Sequence, residues 1–344
     1  MGVNLKDLVP KNVVSLEQLK GKSLAVDAYN ALYQFLAIIR QPTGEPLTDS
    51  HGRITSHLSG LLYRNSNLVE MEIKLVYVFD GKPPSLKIQE VERRRMIKEQ
   101  AALKYEEAIK KGDLEEARIY AQMTSKLEDS MVEDAKRLLT LLGIPWVQAP
   151  SEGEAQAAYL AIKKDVWATA SQDYDSLLFG TPRLVRNLTI TGKRKLPRKK
   201  AYTEVNPEIV ELEQVLNTLG ITREQLVDVG ILIGTDFNPD GVKGVGPKTA
   251  LKLIKEHGCI EKVLPKIPEA VFPEDPKEIK KIFLQPEVTD DYKLEWRPPD
   301  VEGVVNFLCG ERDFSEDRVR KALEKMVLAY TETKARGTLE TWFG

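Results

Sequence analysis

An alternation in the first half of the chain most constrains its fold. Short runs rich in β-branched and aromatic residues, SLAV at 23–26 and KLVYVF at 74–79, are separated by helix-period segments at about 29–40 and 54–71. A helical pattern at 128–142 then leads through the turn signal GIP to a short strand near 144–147, a helix at 152–164 and a strand at 166–170. Continuous apolar strands alternating with helices predict an α/β fold, a central and mostly parallel sheet with helices on both faces. In such sheets ligands collect beyond the carboxyl ends of the strands.

Acidic residues stand at those ends. Asp27 closes SLAVD, Asp80 closes KLVYVFD, and Asp173 and Asp175 follow the 166–170 strand in SQDYDSLLFG. Glu152 and Glu154 open a helix in PSEGEAQAAYLA, and Asp236 follows an apolar run in ILIGTDFNPDG. Each has an ordinary explanation by itself. Ser151 with Glu154 fits a capping box, and acidic residues favour helix amino ends. Asp80-Gly81 and the 173/175 pair suit turns, and Asp236 suits a helix end. Seven together are harder to explain that way. Converging carboxylates without counter-charge repel, and some hold protons near neutral pH. Divalent cations remove that cost. An all-oxygen set with no His/Cys cluster favours hard ions such as Mg²⁺ or Mn²⁺ over zinc. Two such ions about 3.5–4 Å apart stabilise both the attacking and the leaving oxygen in phosphoryl transfer. That chemistry points to a phosphodiester.

The formal net charge of −2 conceals clusters of the opposite sign. Lys87, Arg93, Arg94, Arg95 and Lys98 form one, KRKLPRKK at 193–200 a second, and Lys243, Lys248, Lys252 and Lys255 a third. Any one of them is usually a solvated face. Three beside a concentration of carboxylates indicate a divided surface. The first lies in a long charged segment, 86–127, which interrupts the alternation and is broken by KKGD into two helices. Neither is apolar enough for a central core, so the segment reads as a helical insertion above the sheet. If 86–111 is one helix, Lys87 and Arg94 are two turns apart and share a face suited to a phosphate. The alternative is a salt-bridged solvent face with Glu90, Glu92 and Glu99. In GVKGVGPKTALKLIKEHG (241–258), Pro247 separates Gly246 from Lys248, so this is no Walker A loop. It reads as a Gly-rich turn opening a helix, whose backbone N–H groups suit a DNA phosphate without base contacts. An ordinary helix hairpin remains the alternative.

Residues 183–205 read as a hairpin around TGKRK, and from about 206 the chain reads as helical. Pro-rich joints are expected near 265–276 and 285–299, with a C-terminal helix at 315–334 and a tail, ARGTLETWFG. Apolar runs are too short to span a bilayer, and MGVNLKDLVP lacks a signal-peptide core. Lys6 breaks the myristoylation pattern. Cys259 and Cys309 form neither a metal spacing nor a disulfide framework, which suits a reducing cytosol. No membrane partner is expected.

Seven motifs carry a family resemblance: MGVNL, VDAYNALYQFL, TSHLSGLLYR, VFDGKPPSLK, GIPWVQAPSEGEAQAAYL, SQDYDSLLFG and GTDFNPDGVKGVGPKTALKLI. In this order the chain resembles the flap endonucleases among the XPG-type structure-specific nucleases, in a compact form more archaeal-like than eukaryotic. The resemblance implies a PIN-like nuclease core at 1–235, with 86–127 as a helical gateway and cap. It further implies a helix–two-turn–helix and helical region at 236–334 packed on that core, and a clamp-binding tail at 335–344. The implied activity is Mg²⁺-dependent cutting of 5′ DNA flaps at the junction with duplex, with 5′ exonuclease activity, in Okazaki fragment maturation and repair. Mn²⁺ is expected to substitute. Asp27, Asp80, Glu152 and Glu154 match the surroundings of one ion; Glu154, Asp173, Asp175 and, more distantly, Asp236 match those of the other.

Lys87 and Arg94 match the family's catalytic basic positions, and Tyr33 its aromatic for a displaced base. Gly2 places the processed amino terminus near the site. Gly244, Gly246, Lys248 and Lys252 fall where the family holds the downstream duplex, with a K⁺ ion near the Gly-rich turn. The implied partners are branched DNA with a 5′ flap and a sliding clamp of the proliferating cell nuclear antigen type. Leu339, Trp342 and Phe343 form the clamp plug, with Arg336 where glutamine is usual. A monomer is expected, cytoplasmic and nucleoid-associated in an archaeal source, nuclear in a eukaryotic one. Other readings are a junction-resolving or RNA-cutting relative of the same fold, a DNA-binding scaffold without catalysis, and a phosphatase built on a DxD motif. The cap favours free 5′ ends over four-way junctions.

Overall fold

The computed structural model describes residues 2–41, 44–124, 126–190, 192–195 and 202–343, with side chains at 88–89, 114–115, 118, 122–123, 193–195, 202–204 and 333–343 outside that description. Its strands are β1 (Asn12–Val13), β2 (Ser23–Asp27), β3 (Lys74–Phe79), β4 (Trp146–Gln148), β5 (Ala168–Ala170), β6 (Arg183–Arg186), β7 (Gly192–Lys195), β8 (Tyr202–Val205) and β9 (Glu208–Glu211). The first helices are α1 (Ala28–Ile38), α2 (Ser56–Glu70), α3 (Ile88–Lys111), α4 (Leu114–Met123), α5 (Asp129–Leu141), α6 (Gly153–Ile162) and α7 (Asp175–Leu178). There follow α8 (Leu212–Leu219), α9 (Arg223–Ile233), α10 (Pro247–His257), α11 (Ile260–Val263), α12 (Pro276–Leu284), α13 (Val301–Val305) and α14 (Glu316–Phe343).

The sheet order is β1-β9-β6-β5-β2-β3-β4. Strands β6, β5, β2, β3 and β4 are parallel, and β9 and β1 close one edge antiparallel. Period-2 geometry explains the continuous apolar runs. Leu24, Val26, Leu75, Tyr77 and Phe79 pack with α1, α2, α5, α13 and α14 on one face. Ala25, Val76, Val78 and Val147 pack with α6 on the other. A further cluster joins Val3 and Leu5 to Leu178 of α7, Leu226 of α9, Ile254 of α10 and Phe283 of α12. The carboxyl-terminal helices therefore share a continuous apolar core with the sheet.

Two expectations are corrected. Residues 183–205 are not one hairpin: β6 joins the main sheet between β5 and β9, and only β7 and β8 pair as a separate ribbon. The chain is not helical directly from 206, because β9 comes first. The cause is the same in both cases: RLVR and EIVE find partners in the sheet edge, which local pattern does not reveal. The Pro-rich stretch at 285–299 forms no helix or strand and is held by side chains, with the Trp296 indole donating to the Leu75 carbonyl at 2.8 Å. Helix α14 continues through the expected tail to Phe343, and the clamp side chains of Arg336, Leu339, Trp342 and Phe343 lie outside the described ones. Among the described residues, no helix is long and apolar enough to cross a membrane.

Candidate metal centre

The order of strands reverses about β2: the chain moves outward through β3 and β4, then returns to the other side of β2 to add β5 and β6. A reversal opens a crevice at the carboxyl ends of the strands. Asp27 ends β2, Asp80 follows β3, Glu152 and Glu154 follow β4, and Asp173 and Asp175 follow β5. All six stand on that one rim.

Hydrogen bonds aim them. Asp27 Oδ1 accepts the Asn30 N–H at 3.0 Å as it caps α1, and Asp80 Oδ1 accepts the Gly153 N–H at 2.7 Å. Glu154 does not act in a capping box. Its Oε1 accepts the hydroxyls of Ser171 at 2.6 Å and Ser176 at 3.1 Å, and α6 has no side-chain cap. Asp175 Oδ1 accepts the Val3 N–H at 2.7 Å, and Asp173 Oδ1 accepts the Gly2 N–H at 3.3 Å. Gly2 and Val3 thus lie against the rim, with no room for a side chain at Gly2. A Cβ there would stand 2.6 Å from Asp175 Oδ2.

The inserted helices supply the positive charge. A 3-10 turn ending at Lys87 leads into α3. From it Lys87 donates to Glu152 Oε2 at 2.6 Å and lies 3.4 Å from Asp236. Arg94, two turns along, donates to Asp236 Oδ1 at 2.6 Å and to Glu90 at 2.8 Å. So Asp236 does not end a helix; α9 stops at Ile233, and the carboxylate completes the rim as its seventh member.

Electrostatics ties the seven together. Burial, then repulsion from Asp80 and Asp173, holds Asp27 far above the ordinary carboxylate range. Burial raises Glu154, with Asp175, Asp27 and Asp173 adding to it. Burial and then Asp236 raise Asp175, and burial raises Asp80 and Glu152 despite nearby Lys87. Burial acts the same way on Asp236, but Arg94 and Lys87 outweigh it and hold that carboxyl low. Burial opposes the Lys87 ammonium, and Glu152 and Asp236 outweigh it in turn.

The rim is spread along several strand ends. Among the described residues, no three His, Cys, Asp or Glu side chains form a closed ligand set. The donor chemistry is nevertheless that of a hard dication: carboxylates from four strand ends, Asp27 and Asp175 buried and the others partly so, mutually repelling, with Lys87 and Arg94 as the described cations beside them. A divalent ion fits these residues because it removes the repulsion they show.

The other candidate residues stand on α1 and at the start of α10. The Lys98 ammonium sits over the Tyr33 ring, 4.6 Å from its centroid. Gly246 caps α10 with Pro247 at its first turn, and Gly244 has a left-handed φ of +79°. A Cβ at either glycine would meet nothing within 4 Å, so the backbone there is open to approach. Lys248 and Lys252 are exposed, whereas Lys255 donates to the Leu219 carbonyl at 3.0 Å. Sequence reading missed Asn30, Ser171 and Ser176 as supports for the acids. Only the position of Asn30, three residues after a helix-capping Asp, gave a local signal.

Residues 1–101 match the XPG N-terminal domain and 143–236 the XPG I-region. The chain is 59% identical to Flap endonuclease 1 of Staphylothermus marinus over 350 residues, covering 100% of both. It is 62% identical to Flap endonuclease 1 of Hyperthermus butylicus over 335 residues, covering 96% of each. The solved flap endonuclease-1 from Methanococcus jannaschii is 48% identical, with a TM-score of 0.77 covering 96% of this chain and 100% of that one. At such identity over its whole length, the chain belongs to the flap endonuclease 1 family of XPG nucleases.

Proposed function

We propose that this protein is a structure-specific 5′ flap endonuclease with 5′ exonuclease activity, hydrolysing DNA at the single-strand/duplex junction during Okazaki fragment maturation and repair. The observation that carries the reading is the acidic rim at the sheet's reversal point, faced by Lys87 and Arg94 from the inserted helix. Mg²⁺, or Mn²⁺ in its place, would be held as two ions, one by Asp27, Asp80, Glu152 and Glu154, the other by Glu154, Asp173, Asp175 and Asp236. When bound, they supply charge neutralisation and an activated water.

The protein's own groups do the positioning. Lys87 and Arg94 place two cations where negative charge develops on a scissile phosphate. Tyr33 takes a displaced base by stacking, and the 86–127 helices form the gateway for a free 5′ end. The Gly244–Gly246 turn with Lys248 and Lys252 holds the downstream duplex through its phosphates, with K⁺ beside the turn. Backbone contacts of this kind carry no base preference and weaken steeply with salt. The core is assigned to 1–235 and the helix–two-turn–helix region to 236–334. The tail, 335–344, docks on a sliding clamp through Leu339, Trp342 and Phe343, with Arg336 in place of glutamine. The enzyme is assigned as a monomer acting at the nucleoid in the cytoplasm.

The decisive experiment compares three 5′-labelled DNAs, a flapped nick, a plain duplex and a four-way junction, with Mg²⁺ and with EDTA. Metal-dependent cutting at the flap base, much faster than on the other two, is expected. Binding without cutting would overturn the reading.

A further inference from the structure

Asp27 ends β2 and Asp173 follows β5, and one residue bonds to both. The Asn30 backbone N–H donates to Asp27 Oδ1 at 3.0 Å, and its side-chain Nδ2 donates to Asp173 Oδ2 at 3.3 Å. Any residue at this point of α1 could make the first bond; only a side-chain donor makes the second. Asp173 is otherwise aimed by the Gly2 N–H on its other oxygen. Its orientation therefore depends on Asn30.

Asn30 is braced in turn. Gln34, one turn along α1, donates from Nε2 to Asn30 Oδ1 at 2.5 Å. The Thr189 hydroxyl donates to Gln34 Oε1. Every donor points toward Asp173: hydroxyl to amide oxygen, amide N–H to amide oxygen, amide N–H to carboxylate. A uniformly directed chain of this kind polarises its members and holds each amide one way round. Its outer end is also anchored. Thr189 lies in the 3-10 turn 188–190, where the Arg64 guanidinium donates to the Leu188 carbonyl at 2.6 and 3.2 Å. Metal-ligand carboxylates need such outer partners because a free carboxylate rotates out of its ligand direction.

We infer that Asn30, braced by Gln34 and Thr189, is a positioning residue that sets Asp173 against Asp27 for a divalent cation. The chain Thr189–Gln34–Asn30 governs metal affinity and leaves DNA affinity alone. This rests on the reading of the rim as the metal centre of a nuclease.

The test uses the full-length protein with Asn30→Leu and Thr189→Val, each checked for folding by circular dichroism. Mn²⁺ binding to the DNA-free protein is titrated by the loss of the free-ion paramagnetic resonance signal. Single-turnover flap cleavage is then titrated with Mg²⁺, and flap affinity is measured in EDTA. Asn30→Leu is expected to weaken Mn²⁺ binding about 10- to 100-fold and to raise the Mg²⁺ midpoint in parallel, with flap affinity unchanged. Thr189→Val, which keeps the side-chain shape, shifts both midpoints the same way by a smaller factor. It also carries the test if Asn30→Leu fails to fold. Mn²⁺ and Mg²⁺ midpoints unchanged in every folded variant overturn the inference. A wild-type protein that neither binds Mn²⁺ nor cuts the flap overturns the nuclease reading itself, a separate and recognisable result.

Discussion

Lys87 and Glu152 meet at 2.6 Å with both side chains largely buried, 14% and 12% exposed, joining the start of the inserted helix to the rim above β4. A pair this enclosed is little screened by solvent, unlike the mostly exposed ion pairs elsewhere on α3, such as Arg95 with Glu92.

Removing either rim cation should therefore act on chemistry first. Lys87→Ala and Arg94→Ala are expected to slow single-turnover flap cleavage by about 10²–10³-fold, with a much smaller change in flap affinity. Rapid-quench kinetics beside equilibrium binding in EDTA separate the two effects. Equal losses in binding and rate would instead assign these residues to uniform substrate binding.

Gly2 is expected to tolerate no side chain. Its Cβ would lie 2.6 Å from Asp175 Oδ2 and 2.9 Å from the Asp173 Cβ, so Gly2→Ala must push two rim carboxylates aside. A displacement of that order costs about 10²-fold in rate. Global stability should change little, which a thermal melt run alongside the cleavage assay would check.

His57 should give the fold an acid-sensitive limb. It is fully buried near the start of α2, and among the described residues neither ring nitrogen has a hydrogen-bond partner. Burial, with a smaller contribution from Arg312, lowers its pKa to about 4. An unfolded imidazole titrates near 6.5, so between these values the unfolded chain takes up a proton that the folded one refuses. Stability is then complete above about pH 6.5 and falls as pH drops toward 4, by about 3 kcal/mol over the window. Urea unfolding at several pH values should show His57→Leu losing less stability than wild type across this range. Parallel curves would remove His57 as the cause.

The tail is expected to bind the sliding clamp by its apolar residues. Pull-down with the cognate clamp should succeed for the intact chain and fail for a Trp342→Ala, Phe343→Ala variant. Arg336→Gln should leave the interaction in place and change its salt dependence, since it replaces a charge with a neutral donor. Capture unaffected by loss of both aromatics would dismiss this role.

The sheet was legible because buried parallel strands write an unbroken apolar run, as SLAV and KLVYVF do, and both form at the expected places. The acids were legible because they punctuate those runs. The capping-box alternative for Glu154 was also consistent with its local sequence. It fails because Ser171 and Ser176, 17 and 22 residues away, bring hydroxyls to that carboxylate. Likewise RLVR had no local mark to separate a sheet strand from a hairpin arm.

Periodicity and strand-end placement, properties of neighbouring residues, thus determined the α/β class, the acidic rim and the inserted basic helix from sequence alone. Tertiary structure alone decided the partners: Lys87 on Glu152, Arg94 on Asp236 across 142 residues, and Thr189 on Gln34 across 155. A side chain's propensity is written in its neighbours, whereas its hydrogen-bond partner depends on which distant segments the packed core brings alongside.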